Sequence, residues 1–286
     1  MMVVMSLPVV LEPQPRTEAG AAALAALLAA PEQAMLAFDF DGTLAPIVDD
    51  PEHAHASKRS VHALQRIGPC VGKVAVVTGR PVRTALRLGG FGDHDGLSHL
   101  TILGQYGAER WDADTGAESV PPPPAAVAEV RAALPALLDS LGLAGVRIED
   151  KGRAVVVHTR LLDDPGAALE RLEGPVAELA REHGLAAEPG RYVVEVRDPS
   201  VDKGAALRTL VAETGLRTIV YAGDDLGDIP AYAALTAMRD HGEAEVMLVA
   251  VASDEQQALT PRADLVVHGP EELSAWLERL ADALGC

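Results

Sequence analysis

Short apolar runs, each followed by a polar turn and a helical stretch, recur through the first and last parts of this chain, and they constrain its fold more than any other feature. Met35–Phe40, Lys73–Thr78 and Leu100–Leu103 read as strands, with helices expected over Ser57–Ile67 and from Pro81 to about Leu88. The rhythm returns with a helix over Lys203–Thr214, a strand over Thr218–Ala222 and a helix over Ile229–Met238. Strands over Val246–Val251 and Leu265–His268 and a final helix over about Glu271–Leu284 complete it. Near-continuous apolar strands alternating with helices suit a parallel sheet covered on both faces.

Between these two parts the pattern changes. After Trp111 a proline run, Pro121–Pro124, leads to a helix over about Ala125–Leu141 and a hairpin of Val146–Asp150 and Ala154–Arg160. A helix over Ala167–His183 then precedes a second hairpin, with its turn expected at Pro189-Gly190 and its return strand at Tyr192–Arg197. This α-β-β-α-β-β order reads as an inserted α+β domain with an antiparallel sheet. The expected class is therefore α/β, a Rossmann-like doubly wound parallel sheet with an inserted cap domain. The boundaries read as an N-terminal helix or extension over 1–30, a core over 31–110 and 198–286, and the insertion over 111–197.

Charge narrows the partners. The 286 residues carry 42 acidic against 24 basic side chains, a net charge of −18 that repels nucleic acid and anionic membrane surfaces. An anionic substrate must therefore meet a metal or a local positive site. Only Lys58, Lys73, Lys151 and Lys203 are lysines, so each is a candidate for a place that needs a compact ammonium. Cys70 and Cys286 are too few and too distant in sequence for a disulfide framework, which suggests a reducing, cytoplasmic location. No apolar stretch reaches the length of a membrane span, and no signal peptide is apparent.

The chemistry is written at the strand ends. Asp39-Phe40-Asp41-Gly42-Thr43 closes the first strand with two carboxylates one residue apart, where ligands of open α/β sheets bind. One carboxylate can attack phosphorus while the other donates a proton to the leaving oxygen. A solvated turn or a calcium loop is the alternative, but the twelfth calcium position holds Asp50 and not glutamate. Thr78-Gly79-Arg80 ends the second strand with a hydroxyl and exposed amides, and Asp202-Lys203-Gly204 opens a helix with an ammonium. Gly223-Asp224-Asp225-Leu226-Gly227-Asp228 supplies the acidic oxygens a hard cation takes.

These four segments, in this order, resemble the haloacid dehalogenase superfamily of phosphohydrolases. Further segments narrow the resemblance to the trehalose-6-phosphate phosphatases: Leu44–Ile47, Gly104–Glu109, Glu149–Gly152, His158–Arg160 and Glu195–Arg197. The similarity extends over about Leu36–Leu273, and the place and duplicated order of the insertion resemble that family's cap. Two departures stand out: Gly227 where the family usually has threonine, and Gln105-Tyr106 where it commonly has Asn-His.

The resemblance implies hydrolysis of trehalose 6-phosphate, the last step of trehalose biosynthesis, through an aspartyl-phosphate on Asp39. Asp41 would be the acid–base, with Thr78 and Lys203 stabilising the phosphate. Mg2+ would be the cofactor, held by Asp39, Asp41 and Asp224 and ordered by Asp225 and Asp228. Gly79, Arg80, Gln105, Tyr106, Gly107, Glu109, Glu149, Lys151, Arg160 and Glu195 would meet the substrate, and cap closure would expel water. The partner is then a small sugar phosphate, with no nucleic acid or membrane. Related readings are a sucrose 6-phosphate or monosaccharide phosphatase, a phosphomutase, or a phospho-accepting signalling module.

Overall fold

Alternation along β1 (Ala34–Phe38) sets the layers of the larger unit. Met35 and Ala37 pack on one side with Leu207, Leu210 and Tyr232, whereas Leu36 and Phe38 pack on the other with Leu27, Leu64 and Trp276. Every residue of β1 is buried, as a central strand between two helical layers must be. The computed structural model describes residues 11–48, 50–93, 95–143, 145–190, 192–253 and 256–286, so the first ten residues of the expected extension lie outside the described residues. The chain divides into two units, Met1–Val120 with Asp202–Cys286, and Pro121–Val201.

The remaining strands are β2 (Lys73–Val77), β3 (Leu100–Gly104), β4 (Glu109–Asp112), β5 (Ala117–Ser119), β6 (Arg147–Asp150), β7 (Ala154–His158), β8 (Ala186–Gly190), β9 (Val193–Arg197), β10 (Thr218–Gly223), β11 (Glu245–Ala252) and β12 (Leu265–His268). The helices are α1 (Glu18–Ala29), α2 (Lys58–Ile67), α3 (Val82–Gly89), α4 (Ala125–Ser140), α5 (Pro165–Glu182), α6 (Lys203–Thr214), α7 (Ile229–Asp240) and α8 (Gly269–Leu284).

The larger unit holds an eight-stranded sheet in the order β12-β11-β10-β1-β2-β3-β4-β5. The chain runs outward from β1 through β2 and β3, then restarts on the other side of β1 with β10. Parallel pairing joins β12 through to β3, whereas β4 and β5 are antiparallel. The strand order thus reverses at β1 and β10, the switch point beyond whose carboxyl ends a ligand crevice is expected. The β4–β5 hairpin corrects the sequence reading, which began the insertion at residue 111. Residues 111–120 instead extend the large sheet, and the proline run after them starts the second unit.

In that second unit, β6-β7-β9-β8 form an antiparallel sheet. Its inward side chains Val155, Val157, Val194 and Val196 meet Leu134, Leu138, Leu172 and Val176 of α4 and α5. Pro189 and Gly190 lie within β8 and not at the hairpin turn. β8 is an edge strand, where a proline without an N–H leaves no ladder bond unmade.

The two cysteines also overturn an expectation. Cys70, just beyond α2, and Cys286, just beyond α8, form a disulfide with Cα atoms 6.5 Å apart. The helices α2 and α8 lie side by side, joined through Ser60 Oγ and Ser274 Oγ at 2.7 Å, so residues remote in sequence finish as neighbours. The inference of a reducing compartment loses its premise. Among the described residues no helix is long and apolar enough to cross a membrane.

A bond closing a loop with a sequence separation of 216 should stabilise the native chain mainly by restricting the unfolded one. Cys286→Ser is expected to cost about 2–4 kcal/mol under oxidising conditions. In thermal unfolding the variant should melt below the unsubstituted chain without reductant, and the two should coincide with it.

Candidate active site

The first strand delivers its two acids by geometry. Asp39 follows β1, and its N–H donates to the Ala222 carbonyl of β10 at 2.8 Å, holding the two strand ends together. Phe40 turns into the core and is fully buried, so Asp39 and Asp41 are left on the other side. Gly42 then reverses the chain at φ +74°; a Cβ there would sit 2.0 Å from Asp224 Oδ2, so only glycine fits. Thr43, also buried, donates from Oγ1 to Asp224 Oδ1 at 3.4 Å.

Lys203 stands at the first position of α6, behind its N-cap Asp202, whose side chain accepts the Ala205 N–H at 2.8 Å. The ammonium is buried and reaches two carboxylates, Asp39 Oδ1 at 2.6 Å and Asp228 Oδ1 at 2.7 Å. Burial works against its charge, but Asp228 and Asp39 outweigh that and hold its pKa well above the ordinary lysine value. Asp228 is a hub. Its Oδ1 also accepts the Tyr221 hydroxyl at 2.6 Å, while Oδ2 accepts the backbone N–H of Asp224 at 3.0 Å and of Asp225 at 3.3 Å.

That accounting sorts the donors available to a metal. Carboxylate oxygens of Asp39, Asp224 and Asp228 lie within 4.8 Å of one another. Both oxygens of Asp228 are already engaged by four N–H and O–H donors, which leaves Asp39 and Asp224 as the side chains with capacity for a cation. Burial pushes the Asp39 carboxyl up to about 8 despite the ammonium beside it. Burial, reinforced by Asp39, Asp225 and Asp228, pushes Asp224 up to about 10. One ammonium is thus too little positive charge for this cluster, and an all-oxygen donor set with surplus negative charge fits a hard divalent cation.

The phosphate-side residues gather at the end of β2. Thr78 is buried, and its Oγ1 accepts the Arg80 N–H at 3.1 Å. The Arg80 guanidinium forks onto Asp41, with Nε to Oδ2 at 2.6 Å and Nη2 to Oδ1 at 2.7 Å. Gln105 and Tyr106 both adopt left-handed backbone, at φ 48° and 60°, a conformation uncommon for such side chains. The result lays the Tyr106 ring against Gly79, where an added Cβ would lie 2.9 Å from the ring. Gly107 follows at φ +105°, with α6 at its back through Ala206. Glu109 is engaged elsewhere: its Oε2 accepts the Val82 N–H at 2.8 Å and so caps α3.

In the smaller unit, Glu149, His158 and Glu195 share the sheet face opposite the helices. Glu149 Oε2 lies 2.7 Å from His158 Nε2, and Lys151 Nζ donates to Glu195 Oε2 at 3.4 Å. Arg160 is in the turn beyond β7 and is exposed. The sequence reading missed Tyr221 and Thr43 as partners of the acids. Tyr221 reads as one more apolar residue of a buried strand, and no sequence signal marks its hydroxyl.

The acid cluster makes a prediction about pH. A carboxyl whose folded pKa is raised contributes stability below its unfolded pKa that is lost as pH rises through the folded value. For Asp39 and Asp224 that window runs from the ordinary 3.8 up to about 8 and about 10. Each raised group costs about 1.4 kcal/mol per pH unit within it. Protein stripped with EDTA should therefore lose thermal stability from about pH 6 to pH 9, and added Mg2+ should raise Tm more at the higher pH. An equal Mg2+ effect at both would remove the cluster as its site.

Comparisons with known proteins bear on the family. A family model described as trehalose-phosphatase matches residues 37–264. A trehalose-phosphate phosphatase of Mycobacterium avium is 31% identical over 258 residues, covering 86% of this chain and 62% of that protein. The chain thus spans about three fifths of the length of the curated relatives it matches first. Among solved structures, the C-terminal domain of a Candida albicans trehalose-6-phosphate phosphatase superposes with a TM-score of 0.73 at 20% identity, covering 94% of this chain and 98% of that one. An Aspergillus fumigatus trehalose-6-phosphate phosphatase gives 0.68 at 21% identity, covering 94% and 99%. At these identities the superpositions speak for the fold, while the family match speaks for descent. The chain belongs to the trehalose-phosphatase family.

Proposed function

We propose that this chain hydrolyses trehalose 6-phosphate to trehalose and inorganic phosphate, with Mg2+ as cofactor. The observation that carries the reading is the contact of Asp39 Oδ1 with the buried Lys203 ammonium at 2.6 Å, beside Asp224 and the end of β2. A nucleophilic carboxylate, a fixed cation and a metal-competent acid pair meet at one switch point. The names of the curated relatives support the substrate.

Mg2+, when bound, neutralises phosphate charge so that an anionic carboxylate can approach it. Asp39, the Asp41 backbone carbonyl and Asp224 would hold it, with Asp225 and Asp228 orienting them. An Asp39 oxygen bonds to phosphorus as the bond from phosphorus to the sugar oxygen breaks. That oxygen keeps the electron pair and takes a proton from Asp41. Water then attacks the phospho-Asp39, gives its proton to the Asp41 carboxylate, and the aspartyl oxygen leaves. Lys203 and Thr78 balance charge on the phosphate oxygens throughout, since such transfers depend on positioning and electrostatics. Glu149 and Glu195 serve the sugar because a carboxylate can accept from two hydroxyls, and the Lys151 ammonium donates to a sugar oxygen.

Asp39→Asn replaces the nucleophilic carboxylate with a neutral amide with little change of shape. Phosphate release from trehalose 6-phosphate should fall by at least about 10³-fold with the thermal transition retained. Near-normal turnover would end the nucleophile assignment.

Glu195→Ala tests the sugar contact. It should raise KM for trehalose 6-phosphate about tenfold or more while leaving KM for p-nitrophenyl phosphate within about twofold. Equal changes for both substrates would take Glu195 out of sugar recognition.

A further inference from the structure

Asp41 stands apart from the other motif acids. Its side chain is 39% exposed, whereas those of Asp39 and Asp228 are 8% and 0% exposed. Yet neither of its oxygens is idle: Arg80 Nε donates to Oδ2 at 2.6 Å and Nη2 to Oδ1 at 2.7 Å. A carboxylate gripped on both oxygens by one guanidinium cannot at the same time direct a proton toward a leaving group. One of those two bonds must open before the chemistry assigned to Asp41 can proceed.

The backbone of Arg80 is held independently of its side chain, the N–H donating to Thr78 Oγ1 at 3.1 Å and the carbonyl accepting the Gln105 N–H at 2.9 Å. Any movement is therefore confined to the side chain. The guanidinium lies over the ring of buried Phe40, 5.7 Å from its centroid, so a flat platform supports it whichever anion it faces. The fork that matches a carboxylate also matches two oxygens of a phosphate. The same residue thus carries both a grip on the proton donor and an affinity for the group that donor must serve.

We propose that Arg80 is a clamp for which Asp41 and the substrate's phosphate compete. Without substrate the guanidinium holds Asp41. An arriving phosphate draws the fork onto its own oxygens, and Asp41 is released to face the bridging oxygen. When inorganic phosphate departs, the fork returns to Asp41. Arg80 is by this account a positioning residue that makes release of the acid–base depend on phosphate being in place. The inference rests on the reading of Asp41 as proton donor, but the competition is a binding equilibrium that can be measured without turnover.

The test is calorimetric titration of inorganic phosphate into the Mg2+-loaded protein, comparing Asp41→Asn, Arg80→Ala and the double variant. If Asp41 competes for the guanidinium, Asp41→Asn tightens phosphate binding about fivefold in the Arg80 background, the worth of a partly exposed forked pair. Arg80→Ala weakens phosphate binding, and adding Asp41→Asn to it brings no further gain. Removal of a negative charge alone would tighten binding equally in both backgrounds, and that result overturns the clamp. No gain in the Arg80 background overturns it as well. Arg80→Lys, which keeps charge but not the fork, should halve the Asp41→Asn gain or better, and it guards against an alanine variant that folds poorly. Failure of trehalose 6-phosphate hydrolysis by the unsubstituted chain would instead remove the proposed function and leave the competition standing.

Discussion

A lysine ammonium buried among carboxylates is the interaction around which the larger unit is arranged. Lys203 is all but inaccessible to solvent, and a charge in that position is tolerable only when paired and hydrogen-bonded. Its partners come from distant segments: Asp39 at the end of β1 and Asp228 beyond β10. Both can reach it only if β1 and β10 are neighbours and α6 begins at their carboxyl ends. The parallel order with its reversal at β1 and β10 meets that condition, and the N-cap Asp202 fixes where α6 starts. The fold is thus as much a frame for one ammonium as a way to bury apolar strands.

Deletion of a single member would leave more than a gap. Without Asp228, Lys203, the Tyr221 hydroxyl and two backbone N–H groups would lose a common acceptor in a region closed to water. Such shared acceptors make a buried network cooperative, since each donor left unpaired carries its own desolvation cost. Burial also keeps the Tyr221 hydroxyl neutral, its pKa held well above the ordinary value, so it remains a donor to Asp228. The negative surplus left on Asp39 and Asp224 is the part of the network that protein groups do not balance.

Much of this was legible in the sequence because strand ends announce themselves. Asp39, Thr78 and Asp224 each sit at a sharp change from apolar to polar character, Lys203 follows a helix N-cap, and such signals survive any uncertainty of a residue or two. The β4–β5 hairpin was not legible. Glu109–Asp112 and Ala117–Ser119 carry charged residues at the margin of a sheet, where partial solvation removes the apolar signature of a strand. Pro189-Gly190 misled for a related reason, since an edge strand accepts residues that a central one rejects. The Cys70–Cys286 bond was hidden because sequence separation says little about distance once α2 and α8 pack together. Pairings such as Arg80 with Asp41 depend on side-chain direction across two strands, and no one-dimensional pattern records that.

The five residues from Asp39 to Thr43 show how local geometry divides labour between two chemically identical acids. Alternation puts Phe40 into the core and the two aspartates on the other side. Asp39, nearer the sheet, is buried against an ammonium and a second acid, so its charge is governed by what surrounds it. Asp41, one step further out, lies where water reaches it and is held by the Arg80 guanidinium at 2.6 Å. Gly42 must turn there because Asp224 occupies the space a side chain would need, and Thr43 then steadies that same aspartate. On the proposed mechanism, burial suits an atom that attacks from a fixed position, and exposure suits one that exchanges protons with water. A strand that stops just before Asp39 provides both.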